Sequence, residues 1–170
     1  MKPKILIVDD EVSTTETLKG FLQKRGFEIT TEHDPVAAVE LIRYRQFDLM
    51  IADYRMPKMN GLELIQQVRQ IDPVMAIIMI SAYGKIETAV QIMKSGASDY
   101  LTKPIDLKEL LLLIDKCIDN RNLIVENRQL KEILQERFRF ENIVGNSSGL
   151  NEVMSMVQRV ASSNATVILR

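Results

Sequence analysis

Short apolar runs alternate with stretches of helical spacing along most of this chain. The first run, Lys4–Val8, predicts a strand. Val12–Lys24 then carries Val12, Leu18, Phe21 and Leu22 at helical spacing, and Gly26 follows as a C-cap. Glu28–Glu32 predicts a second, more polar strand. Asp34-Pro35 has the form of an N-cap with proline at the first helical position, and Val36, Val39, Leu41 and Ile42 continue that helix. Leu49–Ala52 is a third strand ending on Asp53, and Met56-Pro57 and Asn60-Gly61 break the chain after it. Leu62–Arg69 is amphipathic and Asp72-Pro73 closes that unit. Ala76–Ile80 is a fourth strand ending on Ser81, Ile86–Lys94 a helix closed by Gly96, and Asp99–Leu101 a short fifth strand before Lys103-Pro104. Apolar runs of this length between helices read as buried parallel strands, so five strand–helix units predict a doubly wound α/β domain.

The last helix of that domain begins near Leu107 and does not stop where a compact domain would. No glycine or proline occurs from there to about Arg139, and polar residues increase. The mean globular helix has only ~11–12 residues, so this one reads as a domain helix running on into a linker. In it Leu113, Lys116, Asn120, Leu123, Asn127, Leu130, Leu134 and Arg137 alternate steps of three and four, a heptad seam that predicts a homodimer. Ile124, Val125 and Ile133 fall outside the seam and support a rival reading, a single helix packed on a second domain. Gly145–Gly149 is a loop, Leu150–Ala161 an amphipathic helix, and Thr166–Leu169 starts like a strand. A lone helix and strand cannot bury their own apolar faces, so this end reads as the opening of a further domain. The expected organisation is a domain over 1–119, a coiled-coil linker over 120–140 and the start of a second domain over 141–170.

Composition narrows the classes. With 170 residues the chain holds one ordinary domain plus an appendage, and 46% hydrophobic content suffices for a core. A formal net charge of −1 argues against a polybasic nucleic-acid or membrane surface. No apolar run approaches the ~20 residues of a membrane span. The opening KILIV ends at once in two acids, which is a strand and not a signal peptide. The single cysteine, Cys117, excludes an internal disulfide and fits a reducing cytoplasm, and the nine methionines read as adaptable core filler.

The candidate chemistry lies at the strand ends. Asp9-Asp10 follow the first strand, Asp53 the third, Ser81 the fourth and Lys103 the fifth. Each alone has an ordinary explanation: a solvated turn, a loop acid, an N-cap, a surface lysine. All four strand ends are carboxyl ends, where doubly wound sheets form their ligand crevice. Three carboxylates converging there repel one another unless a cation joins them. That combination suggests a hard divalent metal, an anion partnered by Lys103, and phosphoryl chemistry. His33, the sole histidine, reads as a surface residue, and Cys117 as packing. Tyr83 and Arg55 stand equally as groups that gate or tune Asp53 and as plain surface side chains.

These residues carry a resemblance. KILIVDD, LMIADYRMPKMNGLEL, MISAYG and GASDYLTKP resemble the motifs of response-regulator receiver domains over roughly Lys2 to Asp119. The resemblance implies a flavodoxin-like (CheY-like) sheet of order 2-1-3-4-5. It implies Asp53 as phosphoacceptor for a sensor histidine kinase. It implies Mg²⁺ held by Asp9, Asp10, Asp53 and the backbone carbonyl of Arg55. Ser81 and Lys103 would each meet a phosphoryl oxygen, across a Lys103-Pro104 peptide that is often cis, and Tyr100 would be the aromatic switch. Mg²⁺ accepts oxygen ligands and keeps waters, so few carboxylates suffice.

The tail, FENIVGNSSGLNEVMSMVQRVASSNATVILR, resembles the entry to the AAA+ domain of NtrC-type sigma-54-dependent activators. A phosphate-binding G-x-x-x-x-G-K-[ST] occurs nowhere in the chain, and Gly84-Lys85 lacks both the upstream glycine and the following hydroxyl. The chain as it stands is therefore expected not to be an ATPase. DNA and sigma-54 RNA polymerase would be reached only through domains outside it. The expected function is a phosphorylation-controlled regulator of such an activator, in the cytoplasm. A stand-alone receiver is one alternative. A phosphohydrolase with an aspartyl nucleophile is another, but it would favour an acid where Arg55 stands. A nucleotide- or flavin-binding domain would need a glycine-rich first turn in place of VDDEVS.

Overall fold

A computed structural model describes residues 2–82, 86–137 and 147–161. Tyr83, Gly84-Lys85, Gly145-Asn146, the end of the linker at Arg139 and the strand expected at Thr166–Leu169 lie outside them, as do the side chains of Leu134 and Arg137. The chain divides into two compact units, 1–129 and 130–170.

The first unit alternates strand and helix: β1 Lys4–Val8, α1 Val12–Gln23, β2 Glu28–Glu32, α2 Pro35–Tyr44, β3 Leu49–Asp53, α3 Gly61–Ile71, β4 Ala76–Ser81, α4 Ile86–Lys94 and β5 Asp99–Thr102. The helix α5, Leu107–Arg137, starts in this unit and ends in the next, where α6, Ser148–Ala161, follows. All neighbouring strands are parallel, in the order β2-β1-β3-β4-β5. This is the doubly wound, flavodoxin-like order.

Pleating splits the apolar strand residues between two cores. Leu6, Val8, Met50, Ala52, Ile77 and Met79 face α2, α3 and α4. Ile5, Ile7, Leu49, Ile51, Ile78 and Ile80 face the other way, onto Leu18 and Leu22 of α1 and Leu110, Ile114, Cys117 and Ile118 of α5. Covered on both faces, β3 and β4 are buried at every residue, which is why they read as unbroken apolar runs.

Capping sets where two helices begin. Asp34 accepts a hydrogen bond from Val36 N at the head of α2, with Pro35 at the first helical position. Asn60 accepts from Leu62 N and Glu63 N, and Glu63 returns a carboxylate to Asn60 N, a complete capping box. Helix α3 therefore starts at Gly61, one residue before the apolar pattern does. Gly61 is also where backbone meets backbone. Its N–H donates to Tyr54 O at 2.9 Å. A Cβ there would strike Met79 Cε and lie 3.0 Å from Tyr54 Cα. At the end of α1 the cap is Lys24, while Gly26, expected as the cap, takes the left-handed φ of 95° in the turn beyond.

Candidate functional site

Strand register brings the carboxyl ends level. Val8 pairs with Ala52, Asp53 with Ile80, and Ser81 with Thr102. The residues that finish or follow these strands, Asp9, Asp53, Ser81 and Lys103, therefore form one row across β1, β3, β4 and β5. Backbone bonds carry the ladder past the strands: Tyr54 N donates to Ile80 O at 2.7 Å and Lys103 N to Ser81 O at 2.8 Å. The Lys103-Pro104 peptide is cis.

Three of these side chains meet. Lys103 Nζ lies 2.6 Å from Asp53 Oδ1 and 3.4 Å from Asp9 Oδ2. The other oxygen of each acid is held by backbone two residues on: Asp53 Oδ2 accepts from Arg55 N at 2.7 Å, and Asp9 Oδ1 from Glu11 N at 2.8 Å. Both carboxylates are buried, as is Ser81. Burial pushes the Asp9 carboxyl above its usual range, opposed by the bond from Glu11 and the charge of Lys103. Burial would also lower Lys103, but its bond and attraction to Asp53, then to Asp9, outweigh that and raise it. The two shifts have opposite implications, one acid made harder to ionise and one base easier to charge. The distances explain this: Lys103 is chiefly the partner of Asp53, and Asp9 receives only its longer contact.

Asp10, one residue further out, is exposed. Among the described residues no three histidine, cysteine or acidic side chains stand close enough to hold a metal ion. Asp9 and Asp53 supply two hard oxygen donors around one positive charge, so the pair fits an oxygen-seeking divalent cation. Asp10 would have to turn inward to complete a set of three. Tyr100, on β5, is half-buried against the core that contains Ile92 of α4. Tyr83 lies outside the described residues.

His33 is the surface residue that the sequence suggested, with one contact to the site that apolar spacing does not show. It is exposed, yet its Nδ1 lies 3.0 Å from the backbone oxygen of Asp9. A carbonyl only accepts, so Nδ1 is the donor. The signal was the register: Val8 pairs with Glu32, which sets the next residues, Asp9 and His33, side by side. It becomes readable only once β2 is known to flank β1.

A buried aspartate paired with a lysine across the carboxyl ends of a 2-1-3-4-5 parallel sheet is the pattern against which known proteins can be compared. The family model of the response regulator receiver domain matches residues 5–115. The chain belongs to the response-regulator receiver family. The receiver is 31% identical over 165 residues to the transcriptional regulatory protein ZraR of Escherichia coli O157:H7, covering 97% of this chain and 36% of that protein. It is 32% identical over 168 residues to the response regulator protein PilR of Pseudomonas aeruginosa, covering 99% and 36%. The chain thus spans little more than a third of the length of these relatives. Among solved structures, NtrX from Brucella abortus in complex with ADP matches with a TM-score of 0.70 and 29% identity, over 97% of this chain and 35% of that one. A CheY-like receiver domain protein from Methanospirillum hungatei matches with a TM-score of 0.68 and 29% identity, over 72% of this chain and 98% of that one. Among the described residues no helix is long and apolar enough to cross a membrane.

Proposed function

We propose that this receiver is switched by a sensor histidine kinase that phosphorylates Asp53, and that it controls an attached AAA+ domain of a sigma-54-dependent transcription activator. One observation carries the first half: Asp53 is buried at the crevice with Lys103 Nζ 2.6 Å from one oxygen and a second buried acid, Asp9, on the same lysine. In the transfer, an Asp53 oxygen bonds to the phosphorus of a phosphohistidine. The phosphorus–nitrogen bond breaks, and the departing histidine nitrogen takes the electron pair and then a proton. Asp9, Asp10, Asp53 and the Arg55 carbonyl would hold Mg²⁺. When bound, Mg²⁺ neutralises charge on the transferring group. Lys103, which contacts both Asp53 and Asp9, pairs with one phosphoryl oxygen as a point charge. Ser81, one residue beyond the Ile80 that pairs with Asp53 on the next strand, donates its hydroxyl to another. Tyr100, half-buried on the neighbouring strand, then moves into the space Ser81 leaves.

The relatives named as transcriptional regulators, and their greater length, support the second half. On this reading residues 1–119 are the receiver, 120–140 a coiled-coil linker that makes the chain a homodimer, and 141–170 the start of the AAA+ domain. DNA and sigma-54 RNA polymerase are reached through regions outside this chain, whose own chemistry is confined to gaining and losing the phosphoryl group on Asp53. The protein works in the cytoplasm, where the kinase delivers its phosphoryl group.

A phosphoryl group shifts a two-state element only by its differential affinity for the states. Beryllofluoride, a phosphoryl analogue, added with Mg²⁺ should therefore perturb amide resonances between Ile86 and Leu101 far more than those between Glu16 and Arg25. Equal perturbation of both stretches would count against the Ser81–Tyr100 route.

A further inference from the structure

The pairing of β1 with β2 runs one rung past the strands, and a side chain supplies that rung. In a parallel pair, evenly spaced bonds run from alternate residues of one strand. Here those residues are on β2. Glu28 N donates to Pro3 O at 2.9 Å at the start, and Glu32 O accepts from Asp9 N at 3.3 Å at the end. The next rung in that series is Asp34 N to Asp9 O. Asp34 N is turned instead to Glu32 Oε1, at 3.3 Å, and the same oxygen accepts from His33 N at 2.9 Å. The place left at Asp9 O is taken by His33 Nδ1, at 3.0 Å.

The turn that presents this imidazole is fixed on both sides. Glu32 holds it from before. After it, Asp34 Oδ1 caps α2 through Val36 N at 3.0 Å, and Asp34 Oδ2 pairs with Lys58 in the loop that follows Asp53. Lys58 itself takes a φ of 68°, a left-handed backbone that residues with a side chain seldom adopt. The Glu32–Asp34 turn is thus joined to both acid-bearing loops. Neutral or charged, an imidazole can carry a hydrogen on Nδ1, so the bond to Asp9 O does not require the charge. The bonded oxygen belongs to the peptide that links Asp9 to Asp10. Asp9 Oδ1 is already held by Glu11 N at 2.8 Å. With the peptide held as well, the direction in which both acids leave the backbone is set. Asp10 is exposed and reaches the crevice only by turning inward from that peptide.

We propose that His33 is a positioning residue for the divalent cation site, acting through Asp9 O on the peptide that carries Asp9 and Asp10. The proposal rests on the reading of Asp9, Asp10 and Asp53 as ligands of Mg²⁺. The test uses the full chain, ¹⁵N-labelled and without a phosphodonor. Magnesium chloride is titrated at an ionic strength held constant by sodium chloride, and the amide resonances of residues 9–11 are followed. His33→Leu removes the donor. His33→Asn keeps one, because the asparagine amide nitrogen stands as many bonds from Cβ as Nδ1 does. The Kd for Mg²⁺ is expected to rise about fivefold in His33→Leu, the effect of one hydrogen bond, and to return to within about twofold of the parent in His33→Asn. A residue that served only folding would shift the metal-free melting midpoint and leave the metal affinity of the folded protein unchanged. Parent-like Mg²⁺ binding by His33→Leu, or binding by His33→Asn no tighter than by His33→Leu, overturns the positioning role and leaves the metal site standing. A parent that shows no saturable shift overturns the metal reading, and the role of His33 with it.

Discussion

Asp9 and Lys103 respond in opposite senses to the same crevice, and each response has a consequence for stability. For Asp9 the folded carboxyl is raised above 3.8 by burial. Below pH 3.8 both folded and unfolded chains hold that proton and Asp9 contributes no difference. As pH climbs through 3.8 the unfolded chain releases its proton first, so stability falls until the folded carboxyl has also ionised. At neutral pH the whole cost remains. Asp9→Asn is therefore expected to raise the thermal midpoint at neutral pH without divalent metal, and the gain should shrink as pH is lowered toward 3.8. Thermal unfolding of both proteins across that range checks it; a destabilised variant at neutral pH contradicts the account of Asp9. Lys103 has the opposite sign. Its stabilising contribution is complete below 10.5 and is lost only as pH rises through its raised folded value. At neutral pH, then, the charged lysine stabilises the row while burial of the Asp9 carboxylate costs stability.

Helix starts show how local chemistry decides element bounds. Asn60-Gly61 reads in sequence as a break, yet Asn60 and Glu63 cap α3 reciprocally and draw Gly61 into its first turn. That cap also lies at the end of the loop that leads from Asp53 into α3. Asn60→Ala should cost ~1 kcal/mol, the usual value of a lost N-cap. In a chain of this size that is a drop of ~2–4 °C in the melting midpoint, measurable by circular dichroism. An unchanged midpoint would show that packing alone fixes the start of α3. β1, β3 and β4 were legible as apolar runs because both their faces are covered, whereas β2, at the sheet edge, is only partly buried; β1 and β2 have the bounds their residue patterns predict, as does α4. The row Asp9, Asp53, Ser81, Lys103 was legible for the same reason, since each residue ends or follows an apolar run on one side of a parallel sheet. Contacts across the row were not. That Lys103 lies nearer Asp53 than Asp9, that Asp10 is exposed, and that His33 reaches the Asp9 carbonyl all depend on register and side-chain direction, which apolar spacing does not encode.

At the scale of the whole molecule the long helix is the element left to explain. Leu110, Ile114, Cys117 and Ile118 bury its first turns on the sheet, and Arg121 ties it to Asp48. Beyond that tie Leu123 and Leu130, the d positions of the seam, are 65% and 53% exposed. Lys116 is occupied with Asp99, 2.9 Å away, so the usable seam begins after it. Asn120 and Asn127 at a positions favour a two-stranded pairing in register. Light scattering at tens of micromolar, a range in which a Kd near ~1 μM shows dimer, should find the full chain dimeric and a chain ending near Asp119 monomeric or more weakly paired. A monomeric full chain refutes the seam. Pairing matters for function only if the receiver is chemically switched, and that is the central claim. The most direct test is intact and peptide mass spectrometry after incubation with a small phosphodonor and Mg²⁺. The account predicts one phosphoryl group on the peptide containing Asp53, removed by hydroxylamine as an acyl phosphate must be, absent when Mg²⁺ is chelated and absent in Asp53→Asn. Equal labelling of Asp53→Asn through a hydroxylamine-sensitive bond, or a label that hydroxylamine leaves in place, would contradict it.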